Sequence, residues 1–164
     1  MRSEQEIRKA LNRYADTVTR LCMLHLHNKQ DAEDIFQTVF MKYMHFDGQF
    51  ENDEHEKAWF IRVTINACKD LHRSFFHSRT VSLDAIKDCI SPIHDDYREV
   101  LEAVLQLPKK YRQVIYLHYY EDRTVPQIAQ LLGKNQNTIY TQLKRAKEML
   151  KKKLGGIADE ENHS

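Results

Sequence analysis

Glycine and proline are scarce, with four and three in 164 residues. So few turn-formers exclude a turn-rich β-sandwich and point to helices. Cysteine is short too: Cys22, Cys68 and Cys89 are an odd number with no Cys-x-x-Cys pair. Neither a disulfide framework nor a cysteine zinc site is expected from them. No stretch nears the ~18 apolar residues of a membrane span, and Met1-Arg2-Ser3-Glu4-Gln5-Glu6 lacks the apolar block of a secretory signal. A phosphate-cradling glycine loop is also missing, so no ATP-driven step is expected. Together these absences predict a cytoplasmic, reduced protein without a membrane partner; no cofactor and no small-molecule substrate are expected either. The chain is 41% hydrophobic, enough for one ordinary core or two small ones.

Net charge is close to zero, with 25 basic against 24 acidic residues, but the charges are segregated. Residues 97–154 hold 12 basic and 5 acidic groups, a local +7. From Asp31 to Glu56 there are eight acids and one base, and from Lys57 to Arg79 five bases and one acid. An acidic surface followed by two basic ones suggests a polycationic partner on one side and a polyanion on the other. Ordinary solvated helix faces are the plainer explanation of each block alone.

Apolar spacing divides the chain. Ser3-Glu4-Gln5-Glu6 reads as a capping box; Ile7, Leu11, Tyr14, Val18 and Leu21 follow at helical intervals, predicting a helix to about His27. Asp31 is expected to cap a second helix carrying Ile35, Val39, Phe40, Tyr43 and Met44, and Phe46 to Asp53 reads as a loop. A third helix is expected through Trp59, Phe60, Val63, Ala67 and Leu71, although Ile61 to Ile65 has strand propensity. Residues 77–96 show no sustained period and read as a flexible linker. Helical spacing then resumes at Tyr97, and Pro108 stands where a first helical turn tolerates it.

Residues 124–151 carry the most specific pattern. Thr124 caps a short helix with Pro126 in its first turn, Ile128, Ala129 and Leu132 inside and Gly133 at its end. After Lys134-Asn135-Gln136, a longer helix is expected from Asn137, with Ile139, Leu143, Ala146 and Leu150 inside. A small residue, a turn glycine and a branched residue at Ala129, Gly133 and Ile139 suit a helix-turn-helix. The outer face presents Gln136, Asn137, Thr138, Tyr140, Thr141, Lys144, Arg145 and Lys147. Hydrogen-bonding groups near the N-terminus and cations further on suit base edges and flanking phosphates. A polar helical hairpin is the plainer alternative, and the local +7 favours DNA.

Leu107-Pro108, Arg112-Gln113-Val114, Tyr119-Tyr120-Glu121, Ile128-Ala129-x-x-Leu132-Gly133 and Leu143-x-Arg145-Ala146 resemble region 4 of bacterial RNA polymerase sigma factors of the extracytoplasmic-function (ECF) class. Asp31 to Phe40 resembles region 2.2, and Ala58-Trp59-Phe60-Ile61-Arg62-Val63 with Asn66 resembles the melting and minus-ten segments of region 2. Glu121-Asp122-Arg123-Thr124 stands where that family often has a glycine before the capping residue.

The resemblance implies an all-α chain of two small helical domains. These are a region 2 bundle over 1–76 and a region 4 helix-turn-helix over 97–154, joined by the linker and followed by an acidic tail over 155–164. It implies that Asp31, Glu33, Asp34 and Gln37 dock on the clamp helices of the polymerase largest subunit. Any bundle can also have an acidic first turn of this kind. It implies minus-ten contacts from Trp59, Arg62, Asn66, Lys69 and Arg73, with Asn66 and the loop from Phe50 to Asp53 forming a pocket for a flipped base. Trp59 suits plain core equally well. Region 4 would read the minus-thirty-five element, and an anti-sigma factor is a further expected partner.

Enzymatic readings lack their residues. His55-Glu56-x-x-Trp59 has no second zinc-protease histidine, and Cys22-x-x-His25-x-His27 needs a further ligand. No catalytic residue and no metal ligand are therefore expected. The competing readings are a stand-alone helix-turn-helix regulator with an N-terminal dimerisation or sensing bundle, and an interaction bundle without DNA contact. The matches at 31–40 and 59–66 favour the initiation factor over both.

Overall fold

The computed structural model describes residues 1–26, 28–74 and 95–155. Residues 77–94 of the expected 77–96 linker, residues 156–164 of the expected tail, His27 and Cys89 lie outside them. The described residues are all helical or in short connections, and no strand occurs among them. They fall into two compact units, Met1–Ser91 and Pro92–Ser164.

The first unit holds α1 (Glu4–Leu26), α2 (Lys29–His45) and α3 (Asp53–Ser74), each packed on the other two. The Ser3 capping box is present: Ser3 Oγ accepts from the Glu6 N–H at 3.2 Å, and Glu6 Oε2 accepts from the Ser3 N–H at 2.9 Å. The cap of α2 corrects the sequence reading. Asn28, not Asp31, takes extended backbone and accepts from the Asp31 N–H at 3.2 Å, so the helix opens at Lys29. Asp31 then lies in the first turn, where its charge suits the helix dipole. Asn52 similarly accepts from the His55 N–H at 2.8 Å, and α3 starts at Asp53. The segment from Ile61 to Ile65 is helical, because burial of Ile61, Thr64 and Ile65 on one face outweighs their strand propensity.

Aromatic rings fill one end of this core. Phe60 is fully buried, with Tyr14, Tyr43 and Trp59 at centroid distances of 4.7, 5.0 and 5.1 Å. Deeper in, the Cys22 thiol is hydrogen-bonded to Cys68, and that bond together with burial pushes its ionisation far up.

The second unit holds α4 (Asp95–Leu105), α5 (Lys109–Ile115), a π-helical turn (Tyr116–Tyr120), α6 (Val125–Leu132) and α7 (Gln136–Leu154). Helix α4 begins two residues before the expected restart at Tyr97. Val114, Leu117, Ile128, Ile139 and Ala146 are fully buried here. Arg112 is buried as well, and its Nη1 donates to the Leu105 carbonyl at 3.4 Å, satisfying the end of α4. Burial lowers the Arg112 ionisation to about 10.

Candidate nucleic-acid and polymerase interfaces

The connection into α6 is built by its own side chains. Tyr116 stacks on Tyr120 at 5.2 Å and donates its hydroxyl to the buried Glu121 at 2.6 Å. His118 Nδ1–H donates to the Arg123 carbonyl at 2.9 Å. Between these anchors Asp122 adopts φ 54°, the left-handed backbone that glycine would take without strain. The Thr124 capping box then starts α6: Thr124 Oγ1 accepts from the Gln127 N–H at 3.3 Å, and Gln127 Oε1 accepts from the Thr124 N–H at 2.9 Å.

Gly133 ends α6 at φ 65°, and the Lys134 N–H closes on the Ala129 carbonyl at 2.9 Å. Its left-handed backbone, rather than crowding, requires the glycine, since a Cβ there would meet nothing. Helix α7 starts one residue earlier than its spacing suggested, at Gln136. Asn135 is its cap, accepting from both the N–H and the hydroxyl of Thr138 at 2.8 and 2.9 Å.

The turn aims one face of α7 outward. Gln136, Asn137, Tyr140, Thr141, Lys144, Arg145 and Lys147 are all exposed. Thr138 is half-buried and engaged by the cap, while the Thr141 hydroxyl donates to the Asn137 carbonyl at 3.0 Å. Ile139, Leu143 and Ala146 face inward as expected. Leu150 is only half-buried, whereas Gln142 is buried among them, which apolar periodicity did not signal.

On α3 the expected minus-ten residues recur every three or four positions, along one face. Arg62 and Asn66 are exposed and Lys69 is half-buried; Arg73 continues the same register on the last turn. Trp59 does not share the exposure of Arg62 and Asn66. It is 7% exposed, covered by Phe46 at 5.2 Å and Phe50 at 6.0 Å from the α2–α3 loop. In this state it is core, because the loop folds over it.

Helix α2 presents Glu33, Asp34 and Gln37 to solvent, with Asp31 half-buried beside them. Met41, absent from the sequence-based set, extends the Asp34–Gln37 row by one turn and is 58% exposed. An open depression of about 490 Å³ beside this row is lined by Met23, Ala32, Glu33, Phe36 and Gln37 among others. The Cys22–His25 pair is otherwise engaged: the free Cys22 thiol is hydrogen-bonded to Cys68, and His25 Nδ1–H donates to the Leu21 carbonyl at 2.8 Å.

Two family models match the chain: "Sigma-70 region 2" over residues 10–78 and "Sigma-70, region 4" over residues 97–150. The chain belongs to the sigma-70 family, in its ECF class. This sigma factor is similar to the RNA polymerase sigma factor SigV of Bacillus subtilis, at 29% identity over 82% of each chain. It is also similar to the ECF RNA polymerase sigma factor SigW of that organism, at 26% identity over 86% of this chain and 84% of SigW. Among solved structures, the sigma factor RpoE bound to the anti-sigma factor NepR from Bartonella quintana shares the fold. The TM-score is 0.67 at 18% identity, covering 92% of this chain and 97% of that one. CnrH, in complex with the cytosolic domain of CnrY, gives 0.63 at 20% identity over 93% and 89%. As a sigma factor the chain binds core RNA polymerase and promoter DNA and directs promoter-specific transcription initiation.

Proposed function

We propose that the three exposed faces divide the work of initiation. The exposed face of α7, held at a fixed angle by the Gly133 turn and the Asn135 cap, carries this reading. Gln136, Asn137, Tyr140 and Thr141 face base edges of the minus-thirty-five element, with Thr138 beside them as cap. Lys144, Arg145 and Lys147 meet flanking phosphates. On α3, Arg62, Lys69 and Arg73 form a backbone track and Asn66 offers its amide to an unstacked base. Trp59 acts from beneath as the floor of the α2–α3 loop. Asp31, Glu33, Asp34 and Gln37 dock on the basic clamp helices of the largest polymerase subunit, joined by Met41.

Strand opening on this scheme needs no hydrolysis by the sigma factor, because binding single-stranded bases more tightly than paired ones shifts the equilibrium. The protein acts in the cytoplasm, where polymerase and promoter are. An inhibitory protein partner is part of the proposal, since RpoE was captured with the anti-sigma factor NepR. The stand-alone regulator gains no support from an exposed α3 strip, which duplex binding would not need.

The test is permanganate footprinting of unpaired thymines with reconstituted holoenzyme. Asn66→Ala is expected to assemble with core polymerase and bind the upstream element, yet lose opening or base preference at the minus-ten element. Asp34→Arg is expected to weaken core binding by charge reversal while the fold persists. A wild-type protein that forms no bubble on any promoter selected by its own binding would sink the scheme.

A further inference from the structure

The loop from Phe46 to Asn52, between α2 and α3, is fastened from outside by a residue near the start of the chain. The Arg2 guanidinium lies 4.5 Å from the Tyr43 ring centroid, 5.1 Å from Phe50 and 5.9 Å from Phe46. Its Nη2 donates to the Gly48 carbonyl at 2.8 Å, and its backbone N–H donates to the Met44 carbonyl at 3.0 Å. No carboxylate lies within ion-pair distance of it among the described residues, and its Nε is buried without a partner. Ring faces and one loop carbonyl therefore hold this cation, which suits the flat, weakly hydrated guanidinium better than an ammonium.

What it grips is already tightly folded. Phe46 lies 5.5 Å from Phe50, and both rings cover Trp59. A Cβ on Gly48 would come within 2.3 Å of the Phe46 ring, so the ring lies directly on the glycine backbone. On the far side the Glu51 N–H donates to His55 Nδ1 at 3.1 Å. Arg2 closes the remaining open side, and from there one side chain touches the end of α2, the loop crest and two of the rings above Trp59.

We propose that Arg2 is a positioning residue for promoter opening: it holds the α2–α3 loop in the one shape that accepts an unstacked minus-ten base. This rests on the minus-ten reading given above. A guanidinium clamp of this kind sets specificity without touching DNA, since an unclamped loop must be ordered by each base it binds.

The experiment compares wild type, Arg2→Ala, Arg2→Lys and Asn66→Ala. Two readouts are taken: hydrogen exchange of the amides of residues 47–52, and open-complex formation by holoenzyme on promoters differing at single minus-ten positions. Arg2→Ala is expected to speed loop exchange and to cut discrimination between the preferred and substituted base about threefold to tenfold, the scale of one net hydrogen bond. Arg2→Lys, which keeps the cation and loses the planar fork, is expected to fall between. Faster exchange with discrimination intact would make Arg2 merely structural and overturn the proposal. Discrimination lost in Asn66→Ala but kept in Arg2→Ala would overturn it while leaving the minus-ten reading standing. Discrimination kept in both would overturn the two together.

Discussion

Asp122 shows how a single side chain can stand in for a family habit. The resemblance implied a glycine in this turn, and the backbone here does take φ 54°, which aspartate tolerates better than most residues. Asp122→Val is therefore expected to lower the stability of the second unit by roughly 1–2 kcal/mol, while Asp122→Gly retains it; thermal melting of the two variants tests this. Tyr43 gives a second residue-scale expectation. Burial, then the charge of Glu56 3.1 Å from its hydroxyl, raises its ionisation from 10 to about 12, against the opposing pull of Arg2. A raised phenol means that the folded chain keeps a proton the unfolded chain releases. The stability it contributes is complete below pH 10 and is lost as pH rises towards 12. Melting curves over that range should decline less steeply in Tyr43→Phe than in wild type.

The helix-turn-helix was legible in detail because its signals are local. Thr124, Pro126, Gly133 and the inward Ile139 each act within a few residues of themselves, and each takes its expected place. Cap choice between neighbouring candidates was less legible. Asn28 and Asp31 are both good caps, and the extended backbone of Asn28, whose side-chain oxygen accepts from the Asp31 N–H, settles the choice. Asn135 won over a later start for the same reason: its oxygen serves two groups of Thr138 at once. Asn135→Ala should cost about 1 kcal/mol of stability and weaken duplex binding without changing the preferred sequence. Melting, together with selection from a randomised duplex pool, measures both. Burial of Arg112, Glu121, Arg123 and Gln142 was not legible: Arg112 meets the Leu105 carbonyl and Glu121 the Tyr116 hydroxyl only once the turns between them have folded. Trp59 and Arg2 belong with them. The resemblance placed Trp59 among the minus-ten contacts, and only the folded loop, with Arg2 across it, shows why it is covered.

Across the molecule, charge that nearly cancels in total is kept apart by segment, and the groups proposed to face polymerase and those proposed to face DNA stand on different helices. The basic second unit should lose DNA affinity steeply with added salt as phosphate contacts release counterions. The length of α7 sharpens this. It runs 19 residues, so Lys152 stands about 22 Å along the axis from Asn137, whereas the major groove is about 12 Å wide. A helix entering the groove by its first two turns must leave it before its last turn. On the proposed docking, its far end projects past the groove wall and meets sugar-phosphate or open solvent rather than the base edges read at the near end. Replacing Lys151, Lys152 and Lys153 with glutamine should flatten the dependence of affinity on salt while the ranking of duplex sequences stays as it was. Reading and holding are thus separated along one rod, by nothing more than its excess over the width of the slot it enters.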